Sequence, residues 1–208
     1  MLPADELETL LNAGGVPAMR CRRPFYRCVE QGKLYGLALP APFPNPIPLY
    51  SQNSSLRGAR FTPQGGPNTL YMAEDVMTAY LEVDRAYKKV EGLEPLVVPR
   101  LAPPVILFSL KVELDQVLDI SDAGIQAALQ TNPAELTATW RLRQSRHLPI
   151  PTQTLGQLVF DSGRFQALRY ASARAANGYC LAVFPERVVS PALVEIFDPY
   201  GELIGTLP

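Results

Sequence analysis

Three side chains with useful chemistry stand at even intervals in this sequence: Arg60, Tyr71 and Glu82, eleven residues apart. A guanidinium offers a planar fork of donors that suits phosphate and carboxylate. A phenol ring offers a face for stacking, and a carboxylate can stabilise developing positive charge. Glu82 is conspicuous for its neighbours. It lies among Ala79, Tyr80, Leu81 and Val83, where a neutral side chain is expected. A half-buried carboxylate needs a partner or a reason to be there. From the residues alone two readings stand: Glu82 faces solvent or pairs with Arg85, Lys88 or Lys89, or it is placed for chemistry.

Other chemistries find little support. The only histidine is His147, in a polar stretch beside Arg146, which reads as a surface residue. One histidine cannot serve both a catalytic triad and a metal cluster. No P-loop, Rossmann glycine fingerprint or HExxH is present. Cys21, Cys28 and Cys180 are odd in number and lack CxxC spacing, so buried free thiols are expected rather than a disulfide framework or zinc site. A net charge of −1 argues against nucleic-acid binding. No run reaches the ~18 apolar residues of a membrane span. The acidic start, Met1 to Glu8, lacks the layout of a secretory signal. The expectation is a cytoplasmic protein of one domain, since a chain of 208 residues can share one core.

The elements that must position these residues follow from pattern. Leu7, Leu10 and Leu11 give residues 4–12 an amphipathic helical period, ended by Gly14-Gly15. Arg20-Cys21-Arg22-Arg23 is a short basic cluster, read as a solvated face, and Phe25 to Val29 is a strand. Pro40, Pro42, Pro44, Pro46 and Pro48 impose an extended loop. A strand around Arg60, a Gly65-Gly66 turn and a strand around Tyr71 come next. A helix then runs from an Asp75 cap to about Val90, with Met72, Val76, Ala79, Tyr80 and Val83 as its buried stripe. Pro103 to Leu110 is a buried strand, and Lys111 to Ile120 follows it. Ser121 caps a helix over 123–130. Asn132-Pro133 starts another that runs through Trp140, read as core, to about Arg143. A third helix covers 153–160. Strands at 165–170 and 179–184 flank Asn177-Gly178, a two-residue hairpin signal. A last hairpin closes the sheet.

Four segments together resemble the RES domain family, named for an arginine, a glutamate and a serine. They are Tyr26-Arg27; Arg57-Gly58-Ala59-Arg60-Phe61, with Ala59 and Phe61 where the family favours glycine and tryptophan; Leu70-Tyr71-Met72-Ala73 followed by Glu82; and Ala171-Ser172-Ala173-Arg174, with Ala171 in place of a proline. The resemblance covers about residues 24–187, leaving the N-terminal helix (1–15) and the C-terminal hairpin (190–208) as additions. It implies an α+β fold with a split, mostly antiparallel sheet and flanking helices, similar to ADP-ribosyltransferase toxins. It implies a toxin that consumes NAD as substrate, by hydrolysis or phosphorolysis of the nicotinamide–ribose bond, without a metal. Glu82 would stabilise the ribose cation, with Arg60 and Ser172 as the other catalytic residues. Tyr71 would stack on the departing nicotinamide, Arg27, Tyr26 and Arg60 would lie along the cofactor, and Ser172 would donate a hydrogen bond to it or to a water. An antitoxin or immunity protein is the implied partner. The alternatives are transfer of ADP-ribose to a protein and a non-catalytic interaction protein.

Overall fold

A computed structural model describes residues 1–34, 46–83 and 104–208. In order the elements are α1 (Ala4–Asn12), β1 (Met19–Glu30), α2 (Gln31–Leu34), α3 (Gln52–Arg57), β2 (Leu70–Ala73), α4 (Val76–Val83), β3 (Val105–Asp119), α5 (Ala123–Ala128), α6 (Pro133–Thr137), α7 (Trp140–Ser145), α8 (Pro151–Asp161), β4 (Ala167–Ala171), β5 (Tyr179–Val183), β6 (Leu193–Phe197) and β7 (Thr206–Leu207). Prolines 40, 42 and 44, the expected helix over 84–90 with Arg85, Lys88 and Lys89, and Pro103 lie outside the described residues.

The fold is α+β, but its sheet is not split. The strand order is β1-β2-β5-β4-β3-β6-β7, and β1 also pairs with β3. That extra pairing closes five strands into a barrel, and β6 and β7 extend from it. The cause lies in the length of β3, fifteen residues. One of its edges takes β1 from Met19↔Val117 to Glu30↔Val105. Its other edge takes β6 along Ser109–Glu113 and β4 along Val117–Asp119. The β3–β4 pair is parallel and every other pair is antiparallel. A parallel return needs a crossover, and helices α5 to α8 supply it.

Closure gives the chain two cores. Successive side chains on a strand face opposite ways. Phe25, Leu70, Met72, Leu110, Val112, Leu181 and Val183 form one buried cluster, the barrel interior. Ala73, Leu168, Tyr170, Cys180 and Ala182 face outward and join Leu7 and Leu11 of α1, Leu155 and Val159 of α8, and Phe61 in the other. The N-terminal helix therefore serves packing. All three cysteines are free and buried, as expected. Arg20 and Arg22 of the basic cluster pair with Asp115 at 3.4 and 3.3 Å on an exposed face.

Several boundaries differ from the sequence reading. Arg60 sits in a tight turn closed by Ala59 and Thr62, not in a strand, because the Ala59 N–H donates to the Thr62 carbonyl at 2.7 Å. The helix expected through Trp140 breaks between Thr137 and Trp140. The α5 cap is Asp122, whose carboxylate accepts from the Ile125 N–H, rather than Ser121. Asn177 does adopt positive φ, 59°, but it belongs to a longer loop, since β4 ends at Ala171 and β5 begins at Tyr179.

One charge network holds the barrel mouth. Arg169 on β4 donates to both carboxylate oxygens of Glu74, just after β2, and to Asp119 at the end of β3 at 2.7 Å. Arg23 on β1 donates to the same Glu74 at 2.9 Å. The Tyr179 ring on β5 lies 4.1 Å below the Arg169 guanidinium. Arg169, Glu74 and Asp119 are 12, 14 and 16% exposed, so losing the cation would leave Asp119 without its ion partner and Glu74 with Arg23 alone, in a largely dry site. Breaking a buried pair in this way costs ~3–5 kcal/mol. Arg169→Met should lower the urea midpoint by the equivalent of about that amount in equilibrium unfolding; a loss under ~1 kcal/mol would show that the network is incidental to stability.

Candidate active site

Glu82 occupies the last described turn of α4. The helix starts where Asp75 caps it, accepting from the Thr78 N–H at 2.8 Å and the Thr78 hydroxyl at 2.6 Å. Those bonds hold the Asp75 carboxyl below its usual range. The buried residues of α4 are Thr78 and Ala79, whereas Val76 and Tyr80 are 46 and 49% exposed. The expected stripe is thus rotated. Glu82 follows Thr78 by four residues and Ala79 by three, which puts it on the inner face.

There it meets the β4–β5 loop. The Ser172 hydroxyl donates to Glu82 Oε1 at 2.6 Å. Its oxygen accepts from the N–H groups of Arg174 and Ala175, both at 3.0 Å. The Ser172 N–H donates to the Gly178 carbonyl at 2.8 Å. With two donors on its oxygen, the serine directs its proton to the carboxylate, so it orients Glu82 and is not poised as a nucleophile. The loop presses on α4: a Cβ at Gly178 would lie 2.3 Å from Thr78 Oγ1.

Arg60 and Tyr71 approach from the other side. Arg60 Nη1 donates to the carbonyls of Leu136 and Ala138 at 2.9 and 3.0 Å, capping the end of α6, where carbonyls lack intrahelical partners. The Tyr71 hydroxyl accepts from the Phe61 N–H at 3.2 Å and bonds Thr62 Oγ1 at 2.8 Å. Thr62 in turn donates to Thr69 at 2.9 Å. The Phe61 turn is itself pinned from behind, since a Cβ at Gly156 of α8 would fall 1.9 Å from the Phe61 carbonyl oxygen.

These residues gather around a tyrosine that sequence reasoning passed over. Tyr170 is buried, and its ring lies 4.7 Å from that of Phe61. Burial pushes its phenol well above the usual value; Glu82 and Tyr71 add to the rise, and the Arg60 charge opposes it. Glu82 and Arg60 act likewise on Cys180, whose thiol is raised mainly by burial. The signal for Tyr170 was its place two residues before Ser172, at the end of a segment read only as a strand.

Arg27 and Tyr26 flank this centre. Arg27 donates to the carbonyls of Pro48 and Tyr50 at 2.7 and 2.9 Å, and desolvation lowers it to about 10. It therefore straps the end of the proline-rich segment to β1. Tyr26 packs against the helix-side core, opposite Ala73 of β2.

A cleft of about 640 Å³ opens between α3 and α7, over Arg27 and Tyr71. Trp140 lines it and is half-buried, correcting its reading as core; Arg57, Arg141 and His147 line it too. No carboxylate stands among the described residues of its wall. The volume falls within the ~300–1,000 Å³ of ligand sites. Among the described residues no group of three His, Cys, Asp or Glu side chains could hold a metal ion, and no helix is long and apolar enough to cross a membrane.

The sequence profile of the RES domain matches residues 24–204. This chain belongs to the RES domain family. Among solved structures, the M. tuberculosis MbcT–MbcA toxin–antitoxin complex contains a chain of the same fold, with a TM-score of 0.66, 16% identity, and coverage of 93% of this chain and 90% of that one. No curated protein matches. In this RES domain Ser172 and Glu82 bond directly, and Glu82, Tyr71 and Arg60 all lie within electrostatic reach of the buried Tyr170.

Burial moves the Tyr71 phenol up to about 12, whereas an unfolded phenol ionises near ~10. The folded state holds that proton more tightly. The stability it contributes is full below pH ~10 and is lost as the pH rises towards 12. Tyr71→Phe should flatten part of the alkaline fall in the urea midpoint, Tyr170 and the three buried thiols keeping the rest. At neutral pH it should cost ~1–3 kcal/mol through the unpaired Phe61 N–H. An unchanged alkaline slope would place the titration elsewhere.

Proposed function

We propose that this RES domain is an NAD-consuming toxin that cleaves the bond between nicotinamide and ribose and is neutralised by a partner antitoxin. The observation that carries the reading is the 2.6 Å bond from Ser172 to Glu82, residues ninety apart in the chain. It orients one carboxylate on the inner face of a helix, towards a buried tyrosine that Arg60 and Tyr71 also reach electrostatically. The family's membership and the toxin–antitoxin neighbour make a toxin the natural host for that arrangement.

The reaction asks for little more. The carbon–nitrogen bond breaks, its electron pair leaves with neutral nicotinamide, and the ribose becomes an oxocarbenium ion, as in glycoside cleavage. Glu82 stabilises that cation and holds ribose hydroxyls from a part-buried position. Water then adds and loses a proton, giving ADP-ribose; inorganic phosphate as acceptor would give the 1-phosphorylated sugar instead. Ser172 keeps the carboxylate aimed. Arg60, fixed to the end of α6, presents positive charge to the pyrophosphate. The Tyr71 ring closes the wall, its hydroxyl already committed to Phe61 and Thr62.

Glu82→Gln keeps the shape and the bond from Ser172 but removes the charge. Purified protein incubated with NAD, with and without phosphate, and followed by mass spectrometry should release nicotinamide, and the variant should do so at least about 10²-fold more slowly with its melting temperature preserved. Product mass separates hydrolysis from phosphorolysis. Undiminished release by the variant would sink the assignment, and modified protein in place of free ADP-ribose would move it to a transferase.

A further inference from the structure

The cleft between α3 and α7 has a composition that the cleavage chemistry does not use. Glu82 and Ser172 are not on its wall, while Tyr71 is. The part of a substrate it holds is therefore remote from the bond that breaks. Three features of that wall are unexplained by folding. Trp140 contributes an aromatic ring on a helix with no buried residue; the Arg141 guanidinium lies 4.8 Å from its centroid, and packing alone does not require the chain's one tryptophan there. The Asn53 side-chain oxygen, also on the wall, is buried without a hydrogen-bond partner among the described residues. A buried acceptor left without a donor costs ~1–3 kcal/mol, so it is expected to find one when a ligand is bound. Arg57 brings positive charge to the same wall, which no described carboxylate offsets.

An aromatic face, a buried acceptor and the positive charge of Arg57 are together what a purine nucleotide needs. Bases stack on aromatic side chains with little regard to identity, an exocyclic amine or ribose hydroxyl satisfies an acceptor, and arginine suits phosphate. We propose that this cleft is the adenosine-phosphate subsite, with Trp140 as the stacking platform, Asn53 as acceptor for the adenosine moiety and Arg57 beside the phosphate. The assignment rests on reading the Glu82 centre as an NAD-cleaving site. It separates the roles of the two aromatic residues: Tyr71, tied by its hydroxyl to Phe61 and Thr62, closes the reacting end, and Trp140 grips the remote end. Binding energy gathered there holds the scissile bond against Glu82.

Because Trp140 is the only tryptophan, its fluorescence reports this subsite directly. The test titrates the full chain carrying Glu82→Gln with ADP-ribose and, separately, with nicotinamide mononucleotide, following tryptophan emission and calorimetric affinity. ADP-ribose should quench or shift the emission and nicotinamide mononucleotide should leave it unchanged. Trp140→Ala should raise the ADP-ribose Kd about tenfold or more, and Trp140→Phe should recover most of the loss. Asn53→Leu should also raise the Kd, about tenfold. Calorimetric binding of ADP-ribose with silent emission and an unaltered Kd in Trp140→Ala would overturn the assignment, as would no binding of ADP-ribose. If wild-type protein releases nicotinamide while emission stays silent, the subsite falls and the cleavage reading stands. If ADP-ribose quenches Trp140 but NAD is never cleaved, the subsite stands and the cleavage reading falls.

Discussion

Arg169 is the side chain on which the geometry depends. Its guanidinium, on β4, reaches carboxylates at the ends of β2 and β3 and lies over a β5 ring, and Glu74 brings in Arg23 from β1. All five barrel strands thus converge on one delocalised cation. A lysine could not replace it, because the planar fork serves Glu74 and Asp119 at once while its face stacks on Tyr179. Glu74 is also the residue before the Asp75 cap of α4. The same ion pair that closes the barrel mouth therefore fixes where the helix carrying Glu82 begins.

The candidate active site lies on the outer wall of the barrel, not in its lumen. The lumen is filled by apolar side chains such as Phe25, Leu110 and Val183. Outward positions of the same strands supply Tyr26, Tyr71 and Tyr170, and turn, helix and loop supply the rest. A rigid sheet holds the wall while irregular segments bring polar groups to it, the usual division of labour between scaffold and loops. Glycines make the close approaches possible: Gly156 lets α8 touch the Phe61 backbone, and Gly178 lets the Ser172 loop touch α4.

Local features were legible in the sequence and long-range ones were not. Arg60, Tyr71, Glu82 and Ser172 could be picked out because each sits in a short segment with recognisable neighbours, and the structure joins Ser172 to Glu82 directly. The N-terminal helix, the Asp75 cap and the buried thiols were readable for the same reason. Barrel closure was not, because nothing in the residues of β1 or β3 says that each will pair on both edges. The α4 stripe went wrong because Val76 and Tyr80 form an apolar line as regular as the true inner face, and Thr78, which is buried through its bond to Asp75, looked polar. Trp140 was assigned to the core on hydrophobicity alone, although α7 has no buried residue. The Asn177-Gly178 signal named a turn correctly but not the loop around it, whose course is set by Ser172 bonding Arg174, Ala175 and Gly178.

The three buried thiols have a use beyond packing. Cys21 belongs to the barrel interior, and Cys28 and Cys180 to the helix-facing layer. All three are held above the ordinary thiol value by burial and are thus little ionised. Since the thiolate is the reactive form, an alkylating reagent meets inert sulfur in the closed molecule. Each alkylation event then dates an opening of one layer, and the chain carries separate internal clocks for the breathing of its barrel and of the layer that houses Glu82 and Tyr170.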